Sequence, residues 1–184
     1  MNAPALATSA LVPDRRIPLV QGECRVSADA QVMLTTTLGS CVAACIRDPV
    51  AGVGGMNHFL LPENPDGEGL LSLRYGAFAM ELLINGLLNK GARRERLEAK
   101  LFGGSRLSDG LMDIGARNAA FARDFLQREG VVLKGGSLGG VQARRIQYWP
   151  VSGRARQLLL AAGEAMALQT PPRRPPGEGD VELF

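Results

Sequence analysis

The spacing of apolar residues changes along the chain, and the change predicts a mixture of strands and helices. Residues 31–38 are rich in β-branched side chains, which is typical of a strand. Residues 52–61 are also predicted to be extended, up to the stop at Pro62. Further short strands are predicted at 97–102, 131–134, 144–149 and 156–160, between glycine-rich turns.

In two other segments the apolar residues recur at helical spacing. Residues 75–90 are predicted to form a helix that ends at Gly91. Its expected inward stripe consists of Phe78, Ala79, Leu82, Leu83, Leu87 and Leu88. A second helix is predicted at 118–129, with Phe121, Phe125 and Leu126 facing inward. Few helices, many short strands and no regular βαβ repeat indicate an α/β fold built in layers.

The domain organisation follows from composition. A length of 184 residues suits one compact domain, expected at 17–168. Residues 1–16 are rich in Ala, Pro and Ser, and residues 169–184 are rich in Pro and Gly. Both segments are predicted to be flexible tails.

Charge and cysteine content exclude several classes of function. The net charge of +3 is small and the aromatic residues are scattered, so no nucleic-acid surface is expected. The three cysteines form neither a Cys-x-x-Cys pair nor a Cys/His cluster, which argues against a disulfide framework, a metal site or a metal cofactor. No secretory signal or membrane-spanning run is visible. We therefore expect a cytoplasmic protein with no membrane insertion and no cofactor.

One cysteine and the single histidine are candidates for chemistry. His58 is the only side chain available for histidine acid–base catalysis, although a lone strand histidine is often structural. Cys41 follows a Gly39-Ser40 turn, whose N–H groups could stabilise an oxyanion. A helix starting at Cys41 would lower the pKa of its thiol, but residues 42–46 suit a strand equally well. A buried structural cysteine is the alternative.

A cysteine–histidine pair needs a third group to hold the imidazole ring. Thr35, Thr36 and Thr37 precede the turn and are available for this role. Strand alternation places Thr35 and Thr37 on one face and Thr36 on the other. The residues themselves do not choose among the three, and β-propensity alone also explains them.

Five motifs together resemble the CheD family of chemoreceptor glutamine deamidases. They are Thr-x-Leu-Gly-Ser-Cys at 36–41, Asn-His-Phe-Leu-Leu-Pro at 57–62, Lys-Leu-Phe-Gly-Gly at 100–104, Ile-Gly-Ala-Arg-Asn at 114–118 and the Gly-Gly pair at 139–140. The resemblance covers roughly residues 21–160, with the motifs in the family's order.

The resemblance implies a layered α/β/β fold and a Cys-His-Thr site. The family's nucleophile maps onto Cys41, its histidine onto His58 and its threonine, six residues before the cysteine, onto Thr35. It also implies deamidation of glutamines on the cytoplasmic helices of methyl-accepting chemotaxis proteins through a cysteine thioester. Hydrolysis of receptor methyl esters and binding of a CheC-type phosphatase occur in some members. We expect a monomer.

Two other classes of function stay open. The chain could be a non-catalytic module that controls a CheC-type phosphatase by occupying its surface. It could also be a different hydrolase of the same layout, such as a methylesterase or a transglutaminase. Peptide masses of the treated receptor separate these possibilities, since each reaction changes mass differently.

Overall fold

A computed structural model describes residues 15–62, 69–107 and 113–161. The described chain contains nine strands, two α-helices and one short 3₁₀ turn at Arg94–Arg96. The helices are α1 (Gly69–Leu88) and α2 (Ile114–Arg128). The strands are β1 (Arg15–Pro18), β2 (Cys24–Ser27), β3 (Val32–Leu38), β4 (Val42–Asp48), β5 (Val53–Asn57), β6 (Glu98–Gly103), β7 (Val132–Leu138), β8 (Arg144–Trp149) and β9 (Arg154–Leu159).

The strands form two mixed sheets. One sheet has four strands in the order β1-β3-β8-β9, and the other has five in the order β2-β5-β4-β6-β7. The β1–β3 and β6–β7 pairs are parallel, and the remaining pairs are antiparallel. Mixed sheets with helices confirm the α/β fold class.

Two hydrophobic cores define three layers. The first core lies between the helices and the five-stranded sheet, and the second lies between the two sheets. Strand β4 contributes to both: Val42, Ala44 and Ile46 face the helices, whereas Ala43 and Cys45 face the four-stranded sheet. A strand that is covered on both faces has apolar residues at consecutive positions. Residues 42–46 therefore show no alternation of apolar and polar side chains. On the outer face of the four-stranded sheet Met33 and Trp149 are buried, and the other side chains of the described strands are partly or fully exposed.

Several predicted elements are confirmed, but the inward stripe of α1 is wrong in part. Phe78 is 63% exposed and Leu82 is 46% exposed. The residues that pack on the five-stranded sheet are Met80, Leu83, Ile84 and Leu87, at the i, i+3, i+4, i+7 spacing. The sheet therefore covers only a narrow strip of the helix, and the apolar positions beside that strip remain exposed.

Residues 42–48 form strand β4, which decides between the helix and the strand that the sequence left open after Cys41. Helices α1 and α2 begin at Gly69 and Ile114, earlier than the predicted starts at 75 and 118. Strand β1 begins at Arg15, inside the expected N-terminal tail, because Arg15 and Arg16 pair with Val32 and Met33 of β3. The remainder of both predicted tails lies outside the described residues. In the described part of the chain, no helix is long and apolar enough to cross a membrane.

Strand β4 ends at a buried carboxylate. Asp48 is fully buried and accepts hydrogen bonds from the Arg96 guanidinium and from the backbone N–H groups of Val50, Ala51 and Arg93. Burial alone would raise the pKa of this carboxyl, but these donors outweigh burial and hold the pKa well below its usual range. The far end of β4 is thereby fixed to the segment that follows α1.

Candidate active site

Strand register brings Cys41 and His58 to the same face of the five-stranded sheet. Val42 and Phe59 exchange two backbone hydrogen bonds, of 3.0 and 2.9 Å, in an antiparallel bridge. Cys41 and His58 each precede one of these residues, so they are diagonal neighbours on the opposite face from Val42 and Phe59. Diagonal neighbours lie about 7–8 Å apart at Cα, within reach of an imidazole side chain. Both residues line one pocket of about 750 Å³.

Thr36 holds the imidazole ring of His58. The Thr36 hydroxyl lies 2.8 Å from His58 Nδ1 and 2.8 Å from the Leu19 carbonyl oxygen. A carbonyl oxygen only accepts, so the single hydroxyl proton is donated to Leu19. The Thr36 oxygen must then accept from His58, which places the ring proton on Nδ1 and the lone pair on Nε2. Nε2 is buried and has no hydrogen-bond partner among the described residues.

Thr35, the threonine expected to hold the ring, does not contact it. Its hydroxyl donates to the Ile146 carbonyl on the neighbouring strand, at 2.8 Å. The physical reason is strand alternation: Leu34 and Leu38 point into the core between the sheets, so Thr36 between them points the same way. Thr35 and Thr37 face outward and still line the pocket. The alternation of Leu34, Thr36 and Leu38 is the sequence signal that could have identified Thr36.

Burial keeps both reactive side chains neutral in the resting protein. It raises the pKa of the Cys41 thiol to about 11, against a smaller lowering by the residue's own backbone N–H. Burial lowers the pKa of His58 to about 4, and the Leu19 carbonyl offsets part of this shift. Because residues 42–48 form a strand, no helix begins at Cys41 to lower the pKa of its thiol. A neutral thiol and a neutral imidazole are therefore the forms present at neutral pH.

The backbone around the thiol is fixed by its carbonyl groups. The carbonyls of Gly39, Ser40 and Cys41 accept from Ser105 N–H, the Asn118 side-chain amide and Gly104 N–H, at 2.9, 2.8 and 2.8 Å. In a trans peptide the N–H points opposite to the C=O. The N–H groups of Ser40 and Cys41 therefore point away from the residues that donate to these carbonyls. Both Ser40 and Cys41 line the pocket.

Asn118 joins the cysteine segment to the histidine segment. Its side-chain NH₂ donates to the Ser40 carbonyl, and its side-chain oxygen accepts from Leu61 N–H at 2.9 Å. The residue is fully buried and does not line the pocket. It therefore fixes the spacing between Cys41 and His58 without reaching a bound molecule.

Gly103 allows the chain to pass directly against the cysteine. Its φ is 107°, and a Cβ at this position would lie 2.1 Å from the Cys41 carbonyl oxygen. Any side chain here would push the cysteine backbone away from its present position. The turn after residue 102, visible in the sequence as Gly-Gly, is thus structural support for the pocket.

Sequence reasoning missed Gln21. The Cys41 thiol lies 3.5 Å from the Gln21 side-chain oxygen. Two backbone hydrogen bonds hold the turn that carries Gln21. Gly22 N–H donates to the His58 carbonyl at 2.7 Å, and His58 N–H donates to the Glu23 carbonyl at 3.0 Å. No local motif marks Gln21, since its position depends on β2 pairing with β5. Among the described residues, no group of three or more His, Cys, Asp or Glu is placed to bind a metal ion.

The fold and the pocket define an α/β protein with a thiol and an imidazole at the junction of two sheets. The family model described as CheD chemotactic sensory transduction matches residues 60–157. An Acidiphilium cryptum protein is 59% identical over 96% of this chain and 98% of its own, and a Caulobacter sp. (strain K31) protein is 58% identical over 94% of each. Both bear the name "Probable chemoreceptor glutamine deamidase CheD". The chain belongs to the CheD family.

One solved structure has a distant likeness to the chain. A Neisseria meningitidis protein of family DUF152 is 15% identical, with a TM-score of 0.42. The match covers 64% of this chain and 53% of that one. A likeness at this level carries no argument about function.

Proposed function

We propose that this chain is a cytoplasmic protein-glutamine deamidase that converts glutamine side chains of methyl-accepting chemotaxis proteins to glutamate. The observation that carries the proposal is the Thr36–His58 hydrogen bond, which leaves the lone pair of Nε2 without a partner on a residue that lines the same pocket as Cys41. The names of the CheD relatives support glutamine as the substrate group and chemoreceptors as the substrate proteins.

Acylation begins from the neutral pair. His58 Nε2 takes the thiol proton as the Cys41 sulfur attacks the carboxamide carbon of glutamine. The carbonyl oxygen becomes an oxyanion, which the N–H groups of Ser40 and Cys41 are directed to accept. Protonated His58 then gives its proton to the departing nitrogen. The C–N bond breaks, ammonia leaves, and a thioester to Cys41 remains.

Deacylation repeats the sequence with water. Neutral His58 takes a proton from water as the oxygen attacks the thioester carbon. The C–S bond breaks, the sulfur regains the proton, and glutamate is released. A methyl ester would give the same thioester with methanol as the leaving group, so receptor methylesterase activity is compatible with this site.

The low pKa of His58 suits the departure of ammonia. An amide nitrogen leaves only after protonation, so the enzyme needs a strong acid immediately after attack. An imidazolium with a pKa of about 4 gives up its proton readily. In the resting state the proton stays on Cys41, and it passes to His58 only as the sulfur attacks the carboxamide carbon.

The test is incubation of the purified receptor cytoplasmic domain with wild-type protein, Cys41→Ala and Cys24→Ala, followed by peptide mass measurement. Wild-type protein should add about 1 Da to selected glutamine peptides and release ammonia, since NH₂ is replaced by OH. Cys41→Ala should do neither. Cys24 is a half-buried cysteine outside the pocket, so Cys24→Ala is the matched control and should retain activity.

Other results point elsewhere. Loss of about 14 Da from methylated peptides would identify a methylesterase, and crosslinked chains would identify a transglutaminase. Deamidation that persists in Cys41→Ala would refute the assignment of the nucleophile.

A further inference from the structure

The four-stranded sheet is unusually basic. Its strands contain six arginines and no aspartate or glutamate. The arginines occur in pairs on three strands: Arg15 and Arg16 on β1, Arg144 and Arg145 on β8, Arg154 and Arg156 on β9. The small net charge of the whole chain conceals this concentration.

Four of these arginines project from the outer face of the sheet, and one of them, Arg154, stacks on the Trp149 ring. Arg145 lies opposite Thr37 on β3, and Arg156 lies opposite Gln147 on β8. Their neighbours Ile146 and Ala155 pack into the core between the sheets, so alternation turns Arg145 and Arg156 outward. Arg16 alternates with Ile17 in the same way. Arg16, Arg145 and Arg156 are exposed, and together they are called the arginine face.

Two of the remaining three arginines have local partners. Arg144 is buried and donates to Ser105 and Ser137, and Arg154 stacks over the Trp149 ring at 4.0 Å. Across residues 15–62, 69–107 and 113–161, no salt bridge or hydrogen bond involves the side chain of Arg16, Arg145 or Arg156. The arginine face is therefore available to a carboxylate from another molecule.

The arginine face is continuous with the pocket. Arg16 and Arg145 line the same cavity as Cys41 and His58. A substrate side chain in contact with the thiol thus has cationic groups on the adjoining surface. Within the part of the chain that the structure describes, no carboxylate lines that cavity.

We infer that the arginine face docks an acidic helical surface of the receptor, with carboxylates flanking the target glutamine. This inference rests on the proposed function and specifies how the substrate is recognised. Deamidation turns glutamine into glutamate, so each completed turnover adds a carboxylate beside the remaining targets. A receptor that already carries glutamates at neighbouring positions is therefore the better ligand, since complementary charges speed and strengthen association.

The experiment measures binding separately from catalysis. Full-length Cys41→Ala protein is titrated against the labelled receptor cytoplasmic domain by fluorescence anisotropy, at several NaCl concentrations. The test variant adds Arg145→Gln and Arg156→Gln. The charge-matched control adds Arg74→Gln and Arg123→Gln, two exposed arginines on α1 and α2.

The test variant should bind about 5- to 20-fold more weakly than the background, and its affinity should depend less on salt. The control should bind as the background does. A receptor domain with glutamate at its target positions should bind more tightly than one with glutamine. Equal affinity of the test variant and the background would overturn the inference, as would tighter binding of the glutamine form.

Two further outcomes are distinguishable. If duplex DNA or anionic lipid vesicles compete as well as the receptor does, the arginine face is a general polyanion surface and the inference fails. If wild-type protein never deamidates receptor but binding still depends on Arg145 and Arg156, the proposed reaction fails while the docking surface stands.

Discussion

The hydroxyl of Thr36 and Nδ1 of His58 are joined by a hydrogen bond of 2.8 Å in which the imidazole is the donor. The group that orients the histidine is therefore uncharged. A carboxylate in this place would stabilise the imidazolium and raise the pKa of His58, whereas a hydroxyl leaves the effect of burial dominant. Burial of the ring, with no carboxylate at this position to oppose it, thus holds the pKa of His58 at about 4.

Replacing Thr36 with valine should impair the reaction without disturbing the shape of the site. Thr36→Val removes the acceptor for His58 Nδ1 and the donor to the Leu19 carbonyl, so the ring loses its fixed tautomer. We expect kcat for ammonia release to fall about 100-fold, an effect typical of losing the group that orients a catalytic histidine.

Thr35→Val is the matched control on the same strand. It removes only the hydrogen bond to the Ile146 carbonyl, so kcat should stay within about threefold of wild type, as expected for a side chain outside the proton path. A larger loss in Thr35→Val than in Thr36→Val would contradict the assignment of Thr36 as the residue that orients the ring.

The depressed pKa of His58 should make stability depend on pH. The unfolded chain protonates this histidine near pH 6.5, but the folded chain does so only near pH 4. Between these values the unfolded state binds more protons, so stability falls as pH falls from about 6.5 to about 4. Urea unfolding should show a loss of about 2 kcal/mol between pH 7 and pH 5 that is absent in His58→Gln. The same loss in both proteins would mean that other groups cause it.

Asn118→Asp tests the link between the two reactive segments. Aspartate keeps the acceptor for Leu61 N–H but loses the donor to the Ser40 carbonyl and opposes that oxygen with negative charge. We expect kcat to fall about 10- to 100-fold with little change in KM, because a displacement on the order of 1 Å is enough to spoil attack. The rate of Cys41 alkylation by iodoacetamide should change as well.

Asn85→Asp, on the exposed side of α1, is the matched control and should leave both rates unchanged. If Asn118→Asp lost activity only in proportion to its unfolded fraction, Asn118 would be a purely structural residue.

Asp48→Asn should lower stability through the far end of β4. The amide cannot pair with Arg96 as the carboxylate does, and the guanidinium loses its ionic partner. We expect the free energy of unfolding to fall by about 3 kcal/mol, the scale of breaking a buried ion pair. Asp124→Asn, on the exposed surface of α2, should change it by under about 0.5 kcal/mol. Equal midpoints in urea for both variants would rule out a stabilising role for this network.

Local pattern predicted most of the fold. The β-branched run before the cysteine, the helical spacing and the terminal glycines place β3, α1 and α2 close to their observed positions. Strands β1 and β2 were not predicted, because four-residue segments carry little period and depend on pairing with distant strands. The exposure of Phe78 and Leu82 also depends on how much of the helix the sheet covers.

The candidate site was predicted in part. Cys41 and His58 were identified by type and by resemblance, and the structure places both in one pocket with Gly39 and Ser40. The offset from the cysteine favoured Thr35, but the hydroxyl beside the imidazole is that of Thr36, because the offset ignores which face of the strand points inward. Gln21 and Asn118 act through tertiary contacts that no short motif records. The catalytic roles, a CheC-type partner and a monomeric state stay predictions.

The three side chains of the candidate site come from different layers of the molecule. Thr36 belongs to the four-stranded sheet, while Cys41 and His58 adjoin strands of the five-stranded sheet. A slip of one sheet over the other would part the hydroxyl from the imidazole while every strand stayed intact. On gentle heating, the rate of ammonia release should therefore fall at a lower temperature than the backbone circular dichroism signal does. The rate of the reaction then reports how tightly the two sheets pack against each other.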